Sequence, residues 1–259
     1  MPEWASRLRD RLTDGLNEIG FRWRETMRWS APPWKRPVGS WERAWPALPE
    51  AGRDRADELG RKYDLTGWPK LLTALELQEN LYTLDLLDRH LPALPPGPGL
   101  QVDAKDGVLL PALRAAWPHP WDLVEIDAHR RHLDLSTRRA SGERMASAFP
   151  DCRYMTDSVE TLTEQYSLVT WFLPFVHEGA LRAGGLPRRF FAPERLFRQV
   201  VNRVEPGGAL LVVNQGEGER DTQRALFKSA AMTTEDLGQL TSPLSPAKHA
   251  RFGQLWRRV

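Results

Sequence analysis

Three acidic residues stand where short apolar runs give way to polar chain: Asp103 after LQV, Glu125 within DLVEI and Asp157 after CRYM. An ionised carboxylate only accepts hydrogen bonds, through about four lone-pair sites, so each suits a ligand hydroxyl or amine. Glu125 lies 22 positions beyond Asp103, the interval at which an acid ending a second parallel strand reaches a ribose diol. An acid there also serves as a cap or ion-pair partner, and both roles stay open. Asp127 reads as the N-cap of a helix over AHRRHLDLSTRRA. Asp157 and Ser158 either meet an amine or cap a helix beginning SVETL, with Glu160 at capping-box spacing.

The stretch DAKDGV carries Ala104 and a single glycine, Gly107, where a ligand loop needs sharp turns and close backbone approach. Asp103 tolerates a left-handed turn better than Lys105 does. Trp171 and Phe172 close the run SLVTWF, and Phe172, Pro174 and Phe175 offer either a stacking surface or a wall of buried aromatics. His177, beside Glu178, is the candidate proton acceptor. Arg182, Arg188 and Arg189 either face an anion or form a solvated basic surface.

These residues need elements to position them. After residue 99 short apolar strands at 100–102, 122–126, 152–155, 167–172 and 209–214 alternate with helical stretches, the pattern of a parallel α/β sheet. A helix over 219–231 and two strand-like pieces, LGQLTSP and RFGQLWRRV, close the chain as an antiparallel pair. Residues 1–68 hold seven of the eleven tryptophans, too many indoles to leave in water. Leu8, Leu12, Leu16 and Ile19 recur at helical spacing, and WSAPPWKRPVGSWERAWPALP reads as irregular chain pinned by aromatics. That arm either wraps on its own domain or acts as a lid or partner-binding segment. A leucine-rich helix over 71–91 ends at LPALPPGPG, which places a boundary between residues 1–96 and 97–259.

A net charge of +2 from 36 basic and 34 acidic residues gives no overall footprint for nucleic acid or an anionic membrane. Cys152 is the single cysteine, which excludes an intramolecular disulfide and a cysteine-based zinc site; no metal is expected. Neither a signal peptide nor a run near the ~20 apolar residues of a membrane span is present, so a cytoplasmic protein is expected.

Taken in order, the acids after strands two and three, YSLVTWFLPF and RVEPGGALLVVN resemble the class I S-adenosylmethionine-dependent methyltransferase family. EPGG is similar to that family's turn into its fifth strand, and GQLWRRV to its antiparallel seventh. The resemblance covers residues 97–259. It implies a Rossmann-like parallel sheet with an antiparallel last strand, preceded by a helical Trp-rich extension. It also implies S-adenosyl-L-methionine as cofactor and methyl transfer to an acceptor, a small molecule rather than a macromolecule. Cofactor contacts would fall on Asp103, Ala104, Gly107, Glu125, Ile126, Asp157, Ser158 and Trp171, and substrate contacts on Phe172, Pro174 and Phe175.

Two registers of the family's glycine-rich loop are open. In one, Gln101 replaces the usual acid and Asp103 the first glycine; in the other, Asp103 is the acid holding the methionine amine and Gly107 the middle glycine. FLPF stands where amino-methylating members carry Asn, Asp or Ser before Pro-Pro-aromatic, and Phe172 cannot accept a hydrogen bond. A catalytically inactive relative that binds a partner through its Trp-rich arm is the second reading. A nicotinamide oxidoreductase is disfavoured by the missing GxGxxG.

Overall fold

The computed structural model describes residues 3–259. Seven strands form one sheet: β1 (Gly99–Val102), β2 (Trp121–Val124), β3 (Cys152–Met155), β4 (Tyr166–Phe172), β5 (Val204–Gln215), β6 (Glu235–Gln239) and β7 (Arg251–Arg257). Their spatial order is β3-β2-β1-β4-β5-β7-β6. The first five run parallel, and β7 enters antiparallel between β5 and β6. The sheet is Rossmann-like with an antiparallel last strand, as the sequence implied. Strand order reverses between β1 and β4, so a crevice opens at their carboxyl ends.

β1 and β2 are buried along their whole length and β4 along nearly all of its own. Strands covered on both faces read as continuous apolar runs, which is why they were legible. α6 (Leu110–Ala116), α7 (Arg138–Ser147), α9 (Pro193–Asn202) and α10 (Gly216–Ser229) provide that cover, and short α8 (Glu178–Ala183) lies by the crevice.

Preceding the sheet are α1 (Glu3–Thr26), α2 (Trp41–Ala44), α3 (Glu50–Lys62), α4 (Trp68–Leu71) and α5 (Ala74–His90). A capping box starts α5: Thr73 Oγ1 accepts from the Glu76 amide, and Glu76 Oε2 from the Thr73 amide at 3.0 Å. Arg55 clamps α3 to α5, donating to Asp85 at 2.7 Å and to Asp88 at 2.6 Å. Leu48, Leu59, Trp68 and Leu72 share one apolar cluster with Leu81 of α5, Leu113 of α6, and Trp121 and Leu123 of β2. The arm is therefore built into the core from residue 41 onward.

Three local expectations are corrected. The helix expected over AHRRHLDLSTRRA begins only at Arg138, where the Thr137 hydroxyl caps it by accepting from the Ala140 amide at 3.1 Å. Asp127 caps nothing, because its buried carboxylate is taken by Arg24 at 3.1 Å and Arg130 at 2.6 Å. SVETL forms a turn rather than a helix, so no capping box joins Asp157 to Glu160. The helix anticipated from Leu8, Leu12, Leu16 and Ile19 does form, but those four side chains face solvent. Its inward side carries Asn17, Phe21 and Arg24 instead.

Candidate functional site

β1 ends in a loop whose backbone alternates. Asp103, Lys105 and Gly107 are all left-handed, with φ of 54°, 53° and 70°. A non-glycine residue there costs on the order of 1 kcal/mol, so the chain takes a glycine-type path with only one glycine. A positive φ is what calls for glycine at 107, and a Cβ there would meet Gly142 Cα and Leu123 Cδ1 at 3.4 Å, the edge of ordinary contact. The Tyr154 hydroxyl donates to the Lys105 carbonyl and ties β3 to the loop.

Asp103 and Trp171 are brought together: the indole Nε1 donates to Asp103 Oδ2 at 2.6 Å. Burial, reinforced by the nearby charge of Glu125, pushes the Asp103 carboxyl up to about 6. Glu125 is buried and heavily engaged. Its Oε2 accepts from the Lys105 amide at 2.7 Å, and its Oε1 from the Asp127 amide at 2.8 Å and Arg138 Nη1 at 3.0 Å. Three of about four lone-pair sites are thus filled, leaving one toward the crevice.

At the end of β4, Leu173 is also left-handed, with φ 59°. Leu173, Asp103 and Lys105 surround one crevice and are half of the six non-glycine residues with positive φ among the described residues. Strained backbone of this kind persists where the surroundings enforce it, and it concentrates at ligand sites.

Three cavities meet at Asp103. The first, a slot of about 40 Å³, lies among Ile126, Asp157, Ser158, Phe175, Leu186 and Phe190. The second, about 280 Å³, is walled by Glu125, Arg138, Pro174, Phe175 and Gln215. The third, about 590 Å³, runs between α5 and the loop before β7, past Glu79, Tyr82, Gln101, Lys105, Phe172 and Arg251. Ala104 lines the third as well.

Asp157 is exposed, and its Oδ1 accepts from the Ser158 amide at 2.8 Å. Gly107 supports the loop from behind rather than lining a cavity. His177 stands apart from all three cavities, with Nε2 against Thr222 Oγ1 of α10 at 2.7 Å.

Sequence reasoning passed over Glu79 and Arg251 here, and it left Gln101 out of the expected contacts although one loop register put it at the acid position. Gln101 is buried, and its Oε1 has no hydrogen-bond partner among the described residues. Glu79 has neither a hydrogen bond nor an ion pair among them, and burial, then the charge of Asp106, raises its carboxyl above the usual range. Arg251 donates to Gln215 Oε1 at 3.0 Å, while burial lowers its guanidinium. Glu76, Glu79 and Thr83 form one ridge of α5 at i, i+3 and i+7, a signal present in the sequence among the leucines.

The roof of the first two cavities is the segment after β4, through Phe175, Leu186 and Phe190. α1 lies on that roof. Asn17 donates to the Arg182 carbonyl at 3.0 Å, Arg24 reaches the Gly185 carbonyl at 3.3 Å, and the Phe21 and Phe190 rings are 4.9 Å apart. Arg182, open in the sequence between an anion contact and a solvated basic surface, is instead engaged by Asp14 at 2.8 Å and Glu178 at 2.8 Å.

No family model and no curated protein matches the chain. Solved structures do. The chain is similar to a magnesium protoporphyrin IX methyltransferase from Synechocystis with bound SAM, at 10% identity over 72% of this chain and 81% of that one, with a TM-score of 0.46. It is similar to a ribosomal protein L11 methylase from Lactobacillus delbrueckii, at 10% identity over 71% and 80%, TM-score 0.48. It is also similar to an N-methyltransferase from Bradyrhizobium japonicum, at 13% identity over 70% and 96%, TM-score 0.47. The fold assignment rests on this chain's own strand order, and the reading of the crevice on its own side chains.

Proposed function

We propose that the crevice binds S-adenosyl-L-methionine and that the chain is a methyltransferase. The observation that carries this reading is the loop 103–107. A strained, alternating left-handed backbone is kept with a single glycine, Gly107, beneath a partnerless buried Gln101 Oε1 and beside an Asp103 oxygen with no hydrogen bond among the described residues. Those acceptors suit the cationic amino-acid end of the cofactor. Glu125 has one lone-pair site left for a ribose hydroxyl, and Ile126 with Phe175 gives the apolar faces an adenine ring needs. Asp157, whose Oδ1 is taken by the Ser158 amide, stands at the slot's edge with its other carboxylate oxygen for the ring's polar rim. The loop side fits the cofactor as it stands; the slot is narrow, so entry requires the roof over it to shift.

The cofactor supplies an activated methyl group on a sulfonium, and little more is asked of the chain than holding the acceptor in line with it. The third cavity is the acceptor space in this reading. Glu79 and Tyr82 on one wall and Lys105 and Arg251 on the others give it both signs of charge. Phe172 lines it without any hydrogen-bond acceptor, which argues against recognition of an amine at that position. His177 takes no part, being held by Thr222 outside the cavities.

Thermal unfolding with S-adenosylhomocysteine tests the reading. A ligand at a hundred times its dissociation constant adds about 2.7 kcal/mol of stability. A rise in Tm that grows with ligand concentration is expected, and adenosine alone should give less. An unchanged Tm at millimolar ligand would refute it.

A further inference from the structure

The outward face of α1 is the most anomalous surface of the molecule. Trp4, Leu8, Leu12, Leu16, Ile19 and Trp23 follow one another at helical spacing, and each is more than half exposed. Residues 27–34 continue the apolar surface through Met27, Trp29 and Trp34. The loop 131–135 extends it, with Leu133 fully exposed. That loop is tied to the arm: Arg131 donates to the Met27 and Trp29 carbonyls at 2.8 Å, and the Ala31 amide to the Leu135 carbonyl at 3.3 Å. Of thirteen large apolar residues exposed among the described residues, eleven belong to this arm and loop, so the patch is concentrated rather than scattered.

Charge on the same segment is one-sided. Between residues 4 and 36 the charged residues classed as exposed are all arginines, Arg7, Arg9, Arg11, Arg22, Arg28 and Arg36, while the partly exposed Asp10 carboxylate is paired with Arg182 and Arg9. Three acids of α1 are paired: Asp10 to Arg182 at 3.5 Å, Asp14 to Arg182 at 2.8 Å, and Glu18 to Arg189 and to Arg22 at 2.6 Å. Two copies meeting through this face would set arginine against arginine, which disfavours self-association. Indoles, leucines and long arginine stems are instead the composition of a helix lying in a lipid–water interface, with rings at headgroup depth and guanidinium groups reaching phosphate.

We propose that α1 and the adjoining loop 131–135 form a docking surface for an anionic lipid bilayer. The helix lies flat on the membrane and does not cross it; no helix among the described residues is long and apolar enough to cross. The near-neutral chain conceals this, because the inward side of α1 carries the compensating acids. The proposal stands apart from any reading of the crevice.

Co-sedimentation of the full chain with phosphatidylcholine vesicles, with and without about one-third phosphatidylglycerol, tests it. Wild type should pellet with the anionic vesicles at least tenfold better than with the neutral ones, and salt should weaken the binding. Leu12→Asp/Leu16→Asp should lose at least tenfold of that partitioning, and Arg9→Glu/Arg11→Glu should lose the preference for phosphatidylglycerol. Both pairs lie on the solvent face, and circular dichroism should match wild type. Wild type left in the supernatant with both vesicle types would overturn the proposal. So would partitioning unchanged in either variant, or a lipid-free dimer in analytical ultracentrifugation that Leu12→Asp/Leu16→Asp dissociates.

Discussion

Asp103 combines backbone strain, a buried carboxyl and an indole donor at one position. Burial pushes its carboxyl up to about 6 from 3.8, so between about pH 4 and 6 the folded chain keeps a proton that the unfolded chain has lost. The stability linked to that proton is fully present below about pH 4 and is lost as pH rises through about 6. Asp103→Asn keeps an acceptor for Trp171 and tolerates the left-handed turn. It should therefore stabilise the protein by about 1–2 kcal/mol near neutral pH and by nothing near pH 4, read from urea unfolding at both. S-Adenosylhomocysteine binding should fall at least tenfold in the same variant. A ligand-site residue that costs stability behaves in this way; a purely structural one would lose stability at both pH values.

Glu125 shows how far a sequence can reach. Its position at the end of β2 and its turn toward the crevice were legible from spacing. That two amides and Arg138 already occupy it was not, because those partners are set by the loop's path and by where α7 begins. Glu125→Ala should cost about 2–4 kcal/mol of stability, since it leaves two amides and the partly buried Arg138 guanidinium without their acceptor, besides weakening ligand binding. Chemical denaturation of the variant beside wild type checks this. A stability loss under about 0.5 kcal/mol would show the hydrogen bonds to be dispensable.

Among the elements, the parallel strands were readable because burial on both faces leaves continuous apolar runs, and the closing hairpin because β6 and β7 follow a clear break. The segment 128–137 was misread as helix. Its charges and leucines mimic a helical period, yet Asp127 is drawn away by Arg24 from α1, a partner 103 residues distant that no local pattern records. The α3–α5 clamp was likewise invisible. Asp88 is held near 2 by its hydrogen bonds with Lys62, Tyr63 and Arg55, which outweigh burial, and Asp85 is almost fully buried. A depressed carboxyl contributes stability above about pH 4 that is lost as pH falls toward 2. Arg55→Ala should cost about 2–4 kcal/mol at neutral pH, because it leaves Asp85 buried with only Arg89, and the difference from wild type should shrink below pH 3. Denaturant melts across that pH range measure it.

Over the whole molecule, the arm and the sheet form one folding unit with two different surfaces. Residues 41–72 fill the layer beneath α5, whereas α1 rests on the roof of the crevice and shows its apolar stripe to solvent. The expectation that the arm's indoles must leave water holds for Trp41, Trp45 and Trp68, which pack into the core, and fails for Trp4, Trp23, Trp29 and Trp34, which are more than half exposed. Deleting residues 1–68 removes Leu48, Leu59 and Trp68 from the core and should cause aggregation or a markedly lower Tm. Deleting residues 1–26 alone should leave the fold intact and the roof over the slot less protected from hydrogen exchange. The central claim, that the crevice is an S-adenosylmethionine site, is tested most directly by isothermal titration calorimetry of the full chain with S-adenosylhomocysteine. Saturable one-to-one binding with a dissociation constant on the order of micromolar, tighter near pH 7.5 than near pH 5 as Asp103 ionises, is the expected result. No heat of binding at millimolar ligand at either pH would contradict it and leave a cofactor-free relative of the fold.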